Sequence, residues 1–317
     1  MNNSTIILAP LQGLTDAVYR KVYSKYFSGI DIAYTPYISL NEKNPIKASK
    51  TLKLIDRGNV SFKVFPQLLT NKAEAIIDFA ASLTKHKINN INLNMGCPYP
   101  IVTKKKKGAG MLPEPKLIDD ILQKVFSSNF DSHLSIKLRL GFFNKNEIIE
   151  VINVLNNYPL SEIIIHPRIG TEYYTGKVDL DFFEKCMHLS KHTVIYNGDI
   201  FSADDYVRIK NRFPEITSWM LGRGILQNPW LPQQIKNAKN NYSEEVFRTF
   251  HIDLMESISD LKRDKDIFPQ RMKEYWWYFA KSFDSSEKIF NQIKKINSKE
   301  EYYTTTENIL TNHKWLY

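Results

Sequence analysis

Cys97 is the residue of this sequence best suited to chemistry. It follows the apolar run 91–95, which breaks at Gly96, and it directly precedes Pro98. A mobile thiol at such a position can act as a nucleophile or as a general acid. Four lysines at 104–107 follow closely, and nearby positive charge tends to lower a thiol pKa. No Ser/His/Asp or Cys/His spacing indicates a hydrolase.

Further polar side chains stand at the ends of other apolar runs. A polar group at the end of a buried strand costs free energy unless it is paired or bound to a ligand. One such residue could be a satisfied core group, but the pattern recurs at seven of eight runs, which favours a ligand site. Besides Cys97, these residues are Gln12, Gln67, Asn94, Lys137, Arg139, His166, Arg168, Asn197, Asp199 and the triplet Gly222-Arg223-Gly224.

Two glycine-containing turns suggest a phosphate site. Gly198 lies in the sequence NGD at 197–199, and Gly222 and Gly224 flank Arg223. Glycines let backbone N–H groups approach a phosphate closely, and an arginine can pair with it. The alternative is that these glycines serve only tight turns between strands and helices.

Lys137 and His166 are the remaining residues with a distinct chemical role. A lysine in the middle of an apolar strand needs an anion or an electron-rich ring, and beside a flavin it would stabilise negative charge on the reduced ring. The alternative is that Lys137 forms an ion pair with a carboxylate in the core. His166 could serve as a hydrogen-bond donor, a phosphate partner or an acid.

The runs that carry these residues alternate with helix-like segments. They are nearly continuous apolar stretches, which is typical of parallel strands covered on both faces. Eight strand–helix units predict an α/β fold, a (β/α)8 TIM barrel. An open Rossmann-like sheet would have fewer units and a G-x-G-x-x-G after the first strand. The eight runs are 5–11, 31–38, 61–68, 90–96, 134–141, 162–170, 193–200 and 218–226.

The pattern changes after the polar stretch 237–245. Residues 243–317 contain no convincing strand, and the stretches VFRTFHIDLMESISDLK and MKEYWWYFAKSF carry the apolar stripes of helices. We therefore predict a barrel domain over 1–238 and a small all-helical domain over 243–317. Within the units, Asn71 and Ser202 are predicted helix N-caps.

The net charge of +9 and the pI of about 9.2 suggest a polyanionic partner, most simply a nucleic acid. A Lys- and Asn-rich proteome is an equally good explanation of the charge alone. The region 236–317 is nearly neutral, with 14 basic and 13 acidic residues. The lysines at 104–107 would ordinarily be a solvated loop, but beside Cys97 they favour an anionic substrate.

Cysteine content and hydropathy exclude several classes of protein. Cys97 and Cys186 cannot form a disulfide framework or a zinc ribbon, and no metal site is expected. Cys186 falls at a plausible helix core position. The N-terminal sequence lacks the basic region of a signal peptide, and no run approaches a membrane span. We expect a cytoplasmic protein, a monomer without a stable protein partner.

The sequence resembles the tRNA-dihydrouridine synthase family along the whole barrel. The motifs that carry the resemblance, in order and with matching spacing, are LAPLQGLTD, NLNMGCP, KKGAG, SIKLRLG, IIIHPRIGTEYYTG, YNGDI and MLGRGILQNPW. The resemblance implies an FMN enzyme that uses NADPH, with NADH as the alternative reductant, to reduce the C5–C6 double bond of uridine in tRNA. The helical region matches the family's tRNA-binding domain by position and length.

The same resemblance implies roles for individual residues. Asn94 would orient the uracil, Cys97 would be the general acid that protonates C5, and Gln67 would hydrogen-bond the flavin ring. The other residues expected at the flavin are Pro10, Leu11, Gln12, Lys137, His166, Asn197, Gly198, Asp199, Gly222 and Arg223. The other residues expected to bind the tRNA are Arg139, Arg168, Lys104, Lys105, Lys106 and Lys107.

Two other functions remain open on the sequence. A small-molecule FMN pyrimidine reductase of the dihydroorotate or dihydropyrimidine dehydrogenase type shares the barrel, the cofactor and the chemistry. It would not need the helical domain, the lysine loop or the net charge of +9. A tRNA-binding chaperone without catalysis is the second possibility, and an intact set of Cys97, Lys137 and His166 argues against it.

Overall fold

The computed structural model describes residues 4–40, 48–55, 60–237, 242–260 and 267–316. Strands and helices alternate through most of the chain, and helices alone follow residue 243. The strands are β1 (Thr5–Leu8), β2 (Ile32–Tyr34), β3 (Ile38–Ser39), β4 (Lys63–Phe65), β5 (Gln67–Leu69), β6 (Asn90–Met95), β7 (His133–Gly141), β8 (Ile163–Ile169), β9 (Val194–Tyr196) and β10 (Ser218–Leu221).

Ten helices of the described ranges lie between these strands or follow the last strand before residue 243. They are α1 (Ala17–Tyr26), α2 (Ala48–Ile55), α3 (Ala73–Thr84), α4 (Pro100–Thr103), α5 (Pro115–Phe126), α6 (Glu147–Leu155), α7 (Leu180–Leu189), α8 (Ala203–Arg212), α9 (Arg223–Gln227) and α10 (Leu231–Asn237). Short 3-10 turns occur at Gly108–Met111, Gly170–Glu172 and Ala280–Ser282. No helix in the described ranges is long and apolar enough to cross a membrane.

The strand segments close into a parallel barrel. The order runs β5-β6-β7-β8-β9-β10-β1-β2-β4, with β3 beside β5. Because β2 pairs with β4 while β3 pairs with β5, the segments β2 and β3 form one strand position, and β4 and β5 form the next. The eight positions therefore complete a ring, which confirms the predicted TIM barrel.

Two of the predicted strands, 31–38 and 61–68, are each broken in two. Pro36 and Pro66 lie at the breaks, and proline has no N–H to give to a sheet ladder. Side-chain and backbone bonds still hold the two positions together. The N–H of Thr35 donates to the carbonyl of Phe65 at 2.9 Å, and the N–H of Gln67 donates to Thr35 Oγ1 at 3.1 Å.

Side chains that alternate along the strands fill the inside of the barrel and its outer layer. One cluster joins Ile7, Ala9 and Tyr34 to Ile164, Ile195 and Met220, whereas Ile6 and Leu8 belong to the larger cluster under the helices. This alternation follows from the two-residue repeat of a strand. The barrel below the cavity is thus a packed core.

The region after residue 243 is helical, as predicted. Its helices are α11 (Glu244–Ser259), α12 (Ile267–Phe279), α13 (Ser286–Lys295) and α14 (Lys299–Asn312). They pack on α1 of the barrel: the Tyr19 ring stacks on Tyr275 at 5.6 Å, and Phe27 meets Phe250 at 4.9 Å. Arg271 also pairs with Asp16 at 2.5 Å. Residues 238–241 of the predicted linker lie outside the described residues.

The two predicted N-caps have different outcomes. Ser202 caps α8, because its Oγ accepts the N–H of Asp205 at 3.1 Å and the Asp205 carboxylate accepts the N–H of Ser202 in return. The prediction for Asn71 is wrong, since α3 begins one residue later, after Lys72. The Asn71 side chain instead donates to the carbonyl of Lys105 at 3.1 Å and so braces the lysine loop.

Candidate active site

A cavity of about 370 Å³ opens at the carboxyl ends of the barrel strands, where barrel enzymes carry their active sites. Most of the residues predicted for the site line it. These are Pro10, Leu11, Gln12, Asn94, Cys97, Lys137, Arg139, His166, Asn197, Gly198, Asp199, Gly222, Arg223 and Gly224. The predicted residues outside this lining are Gln67, Arg168, Lys104, Lys105, Lys106 and Lys107.

Buried amides on neighbouring strands form a ladder beneath the cavity. Gln67 is fully buried; its Nε2 donates to Asn92 Oδ1 at 2.7 Å, and its Oε1 accepts from Asn94 Nδ2 at 2.7 Å. The ladder continues from Asn92 Nδ2 to Ser135 Oγ at 2.8 Å. Asn94 is thereby held in one orientation, so in this structure Gln67 positions Asn94.

Asn94 in turn positions the turn that carries Cys97. Its Oδ1 accepts the N–H groups of Gly96 at 3.1 Å and of Cys97 at 2.9 Å. Because both amide groups of Asn94 are committed, the backbone before Pro98 cannot rotate freely. The cysteine of the NLNMGCP motif therefore sits on a rigid support rather than on a mobile loop.

The KKGAG turn seats directly against Cys97. Gly108 has a φ of +57°, and a Cβ at this position would lie 2.6 Å from the Cys97 carbonyl oxygen. The N–H of Ala109 donates to that carbonyl at 2.9 Å. Only glycine combines this backbone conformation with this close approach. Gly108, the first glycine after the lysine run, therefore serves to hold the cysteine.

The environment of Cys97 differs from the sequence-based prediction. Burial raises the pKa of the thiol above its ordinary value, and hydrogen bonds from Tyr37 and the Tyr99 backbone, with the charges of Arg139 and Lys137, offset this only in part. The expected lowering of the pKa by the lysines at 104–107 is wrong, because the cations that act on the thiol are those of the cavity. Cys97 thus keeps its proton near neutral pH.

Lys137 projects into the cavity without a carboxylate partner. Its ammonium group makes no ion pair with any residue that the structure describes, and no carboxylate contributes to its pKa shift, so no core carboxylate partner is found within that part of the chain. Burial, followed by the charge of Arg139, lowers the pKa of Lys137 to about 7. An anion or an electron-rich ring in the cavity would restore its charge.

Arg168 supports the site from beneath. It is almost fully buried, and its donors reach the Asp199 carboxylate, His166 Nε2 at 3.0 Å, and the carbonyls of Thr175 at 3.1 Å and Gly176 at 2.7 Å. All five N–H groups of the guanidinium are occupied in this way. The arrangement makes Arg168 a support for His166 and Asp199.

The contact with Arg168 fixes the protonation of His166. A guanidinium can only donate, so His166 Nε2 accepts and Nδ1 carries the proton. Burial and then the charges of Arg139 and Lys137 hold the pKa of His166 well below its usual value. His166 is therefore a neutral donor at the cavity wall and does not act as an acid near neutral pH.

Asp199 and Arg223 form the adjoining wall. Arg223 Nη2 donates to Asp199 Oδ1 at 2.6 Å, and the guanidinium lies over the rings of Tyr174 at 4.8 Å and Phe201 at 5.4 Å. The carboxylate thus bridges Arg168 and Arg223 and holds the second arginine at the cavity edge. Arg223 keeps donors available there for an anionic group.

The three glycines of the predicted phosphate site are not equivalent. A Cβ on Gly198 would lie 2.2 Å from the Tyr196 hydroxyl, and a Cβ on Gly224 would lie 2.1 Å from the Ile200 carbonyl, so internal packing already requires both. A Cβ on Gly222 would meet the side chains of Ala9 at 3.3 Å and Leu11 at 3.7 Å, on the cavity lining. Of the three, Gly222 is the glycine whose surroundings conflict least with a side chain.

The four lysines after Cys97 also differ from one another. Lys104 and Lys105 are exposed at the end of α4. Lys106 pairs with Glu114 at 2.7 Å, and Lys107 Nζ donates to the carbonyl of Leu40 at 3.2 Å. Lys106 is exposed as well, so the run offers three solvent-facing cations, of which Lys106 is paired with Glu114, while Lys107 holds the loop to the protein.

Aromatic residues that sequence reasoning missed complete the cavity. Tyr37, Tyr99, Tyr174 and Tyr278 line it, and Tyr278 comes from α12 of the helical region. Tyr174 lies in the motif IGTEYYTG and could have been found there. Tyr37 gave no such indication, because the break at Pro36 shifts the strand alternation: Tyr34 points inward, yet Ile38 packs in the outer cluster.

The closed barrel and its charged cavity define a (β/α)8-barrel enzyme. The model of the family Dihydrouridine synthase (Dus) matches residues 7–314. The chain is 29% identical to the tRNA-dihydrouridine(16) synthase of Neisseria meningitidis serogroup A over 314 residues, covering 93% of this chain and 92% of the relative. It is 26% identical to the probable tRNA-dihydrouridine synthase of Helicobacter pylori strain 26695, over 74% of this chain and 71% of that relative.

Solved structures share the fold at low sequence identity. Morphinone reductase superimposes with a TM-score of 0.55 at 8% identity, covering 78% of this chain and 91% of that one. The old yellow enzyme homologue from Zymomonas mobilis gives a TM-score of 0.53 at 11% identity, covering 76% of this chain and 91% of that one.

The family match extends over nearly the whole chain. The chain belongs to the dihydrouridine synthase family. It is therefore a flavin-dependent oxidoreductase.

Proposed function

We propose that this protein is a tRNA-dihydrouridine synthase, which reduces the C5–C6 double bond of a uridine in tRNA. The observation that carries the proposal is a protonated thiol and an unpaired lysine in one cavity. Cys97 keeps its proton, and Lys137 points into the same space without a partner among the described residues. A proton donor and an anion-stabilising cation are what the reduction of a pyrimidine ring requires.

The cavity residues fit FMN. Lys137 and the neutral His166 offer donors to a polar ring and ribityl chain, and Arg223 faces the edge where a phosphate would lie. Gly222 leaves a flat surface beside Ala9 and Leu11, which a side chain would fill. Bound FMN supplies the hydride for C6 of the uracil. Pro10, Gln12, Asn197, Gly198 and Asp199 complete the proposed flavin site, and NADPH is the proposed reductant.

Cys97 is the proposed proton donor to C5 of the uracil. A thiol with a raised pKa is protonated at neutral pH, which suits a general acid and disfavours a nucleophile. Asn94 lies at the same turn, where it is held by Gln67, and would orient the uracil. In this arrangement Gln67 acts through Asn94, so we assign to it a positioning role rather than a bond to the flavin.

The rim of the cavity supports a polyanionic substrate. Trp277 is half exposed on α12, with Lys281 Nζ 4.7 Å from its ring, and the neighbouring Tyr278 reaches the cavity. Aromatic faces beside cations bind unstacked nucleotides. The target base must leave its stack to reach the cavity. We propose that the helical region 243–317 holds the tRNA at this rim, together with Lys104 and Lys105.

Position 16 is the proposed target uridine. The relatives from Neisseria meningitidis and Aquipseudomonas alcaligenes are named tRNA-dihydrouridine(16) synthases, and this chain covers 92% and 95% of their lengths. That coverage includes the helical region, which sets how a tRNA lies on the barrel. The compartment that follows from a tRNA substrate is the cytoplasm.

Nucleoside mass spectrometry of tRNA from cells lacking the gene tests the function. We expect loss of dihydrouridine at position 16, restored by the wild-type gene and not by Cys97→Ala. Purified Cys97→Ala should still bind FMN and accept electrons from NADPH, with NADH tested beside it. Full dihydrouridine in the deleted strain, together with reduction of free pyrimidines by the purified protein, would instead establish a small-molecule reductase.

A further inference from the structure

Tyr37 contacts Cys97, and the mechanism proposed above gives Tyr37 no role. It follows β2 at the strand break and lines the cavity beside Cys97. Its ring packs against the apolar group formed by Leu69, Cys97 and Val102, which places its phenol beside the Cys97 sulfur, where the two groups shift each other's pKa. The cavity therefore holds a phenol in contact with the proposed proton donor.

Tyr37 can only act as the donor in this contact near neutral pH. Burial, and then the neighbouring sulfur, raise the pKa of the Tyr37 phenol above its usual value. The phenol therefore stays protonated while the sulfur changes its charge. A hydrogen bond to an ionised acceptor is stronger than one to a neutral acceptor. The contact thus favours the thiolate over the thiol.

We propose that Tyr37 is a positioning residue for Cys97, which orients the thiol toward the cavity and stabilises the thiolate left after proton transfer. The proposal rests on the proposed function of Cys97. In the step, the S–H bond breaks, its proton forms the new C5–H bond, and the electron pair stays on sulfur. The hydride at C6 comes from the flavin reaction proposed above, and water returns a proton to the sulfur afterwards.

The other groups that face the sulfur cannot replace this contact. The backbone of Tyr99 and the charges of Arg139 and Lys137 also lower the pKa of the Cys97 thiol. The walls formed by Leu69 and Val102 are apolar. Arg139 is fixed by bonds to the carbonyls of Gly96 and Ile169, both at 3.0 Å. Tyr37 is thus the side-chain hydroxyl that supports the thiolate.

The test uses the FMN-loaded enzyme and the variant Tyr37→Phe, which removes only the hydroxyl. Alkylation of Cys97 by iodoacetamide is followed against pH by mass spectrometry of the peptide that contains it. We expect the midpoint of the alkylation profile to rise by about one pH unit. Tyr99→Phe is the matched control, because it keeps the backbone N–H, and its midpoint should equal that of the wild type.

A second readout follows the reaction itself. With enzyme reduced beforehand by NADPH, dihydrouridine formation in a single turnover should slow about tenfold in Tyr37→Phe. The KM for tRNA and the rate of reduction by NADPH should stay unchanged. An unshifted alkylation midpoint in Tyr37→Phe overturns the inference. If the wild-type enzyme forms no dihydrouridine, the proposed function is overturned. A higher alkylation midpoint in Tyr37→Phe than in the wild type would then still support stabilisation of the thiolate by Tyr37.

Discussion

At the scale of single residues, burial acts in opposite directions on the two central groups of the cavity. It raises the pKa of the Cys97 thiol and lowers that of the Lys137 ammonium, since a low-dielectric site disfavours charge on either. Near pH 7 the thiol is therefore neutral, and Lys137 is divided between its charged and its neutral form. An anionic or electron-rich ligand would raise the pKa of Lys137, because the ammonium group has no ion-pair partner among the described residues.

Replacing Lys137 by methionine should stabilise the protein without its cofactor. Unfolded lysine keeps its proton up to a pH of about 10.4, whereas Lys137 releases it near pH 7, so between these values the unfolded state binds more protons. Wild-type stability thus rises with pH across this window. The gain in melting temperature of Lys137→Met should be largest below pH 7 and shrink toward pH 10. Flavin reduction by NADPH should fall in the same variant.

A gain in melting temperature that does not change with pH would contradict this prediction. Lys145→Met is a suitable control, since Lys145 is an exposed lysine paired with Asp179 at 2.7 Å. The salt bridge of an exposed pair contributes little to stability.

At the scale of elements, packing and hydrogen bonds hold the loop after β6 in place as firmly as they hold the strands. The turn Gly108–Met111 packs on the backbone of Cys97, and Asn71 braces the lysine loop from the start of α3. The sequence indicated the glycines of this turn but not their purpose. The structure makes the turn the outer support of Cys97, while Asn94 is the inner one.

Gly108→Ala should therefore impair catalysis more than a comparable glycine substitution elsewhere. The added Cβ must displace the Cys97 carbonyl, in addition to the backbone strain at a φ of +57°. Gly176→Ala is the matched control, because Gly176 has a φ of +66° but no atom within 4 Å of an added Cβ.

The control should lose about 1–2 kcal/mol of unfolding free energy and keep its activity. Gly108→Ala should lose more, and its rate of dihydrouridine formation should drop at least tenfold. Urea denaturation and single-turnover assays measure the two effects. Equal activities in the two variants would refute a role of this turn in placing Cys97.

The lysine loop gives a prediction for tRNA binding. Lys104 and Lys105 face solvent, whereas Lys106 and Lys107 bond Glu114 and the carbonyl of Leu40. Lys104→Ala with Lys105→Ala should weaken tRNA binding and reduce the salt slope of log K by about 0.7–0.9 for each lost phosphate contact. The pair Lys106→Ala with Lys107→Ala should change the slope less and the stability more. Equal salt slopes of log K in the two double variants would contradict different roles for the two pairs of lysines.

Much of the fold and of the cavity could be predicted from the sequence, for a physical reason. Polar residues that end buried runs, such as Lys137 and His166, stand out because their position is costly without a ligand. Partners inside the protein cannot be predicted in this way. Gln67 and Arg168 show the same pattern, yet their polar groups satisfy neighbouring side chains and carbonyls. Tyr37 was missed because a proline shifts the strand alternation.

At the scale of the whole molecule, the barrel and the helical region share one core. The cluster that contains Ile6 and Leu8 of the barrel also contains Phe250, Trp276 and Ile309 of the helices. Tyr275 also donates to the carbonyl of Leu14 at 2.6 Å. The division at residues 238–243 therefore marks a change of secondary structure more than a boundary between independent cores.

Thermal unfolding should accordingly occur as one transition. Separating the two regions would expose Tyr19, Phe27 and Phe250 together, so neither region should persist alone. Scanning calorimetry should give a single peak with equal calorimetric and van't Hoff enthalpies. Two resolved peaks, or a stable barrel expressed as residues 1–237, would show instead that the regions fold independently.

The bond between Asp16 and Arg271 joins residues 255 positions apart, and this has a consequence for biosynthesis. At about 5–20 residues per second, roughly 13 to 50 s separate the synthesis of these two residues on the ribosome. Until α11 and α12 are synthesised, the apolar face of α1, with Tyr19 and Tyr23, lacks the helices that cover it in the folded protein. We therefore expect the final packing of α1 to form only after the last helices have emerged from the ribosome.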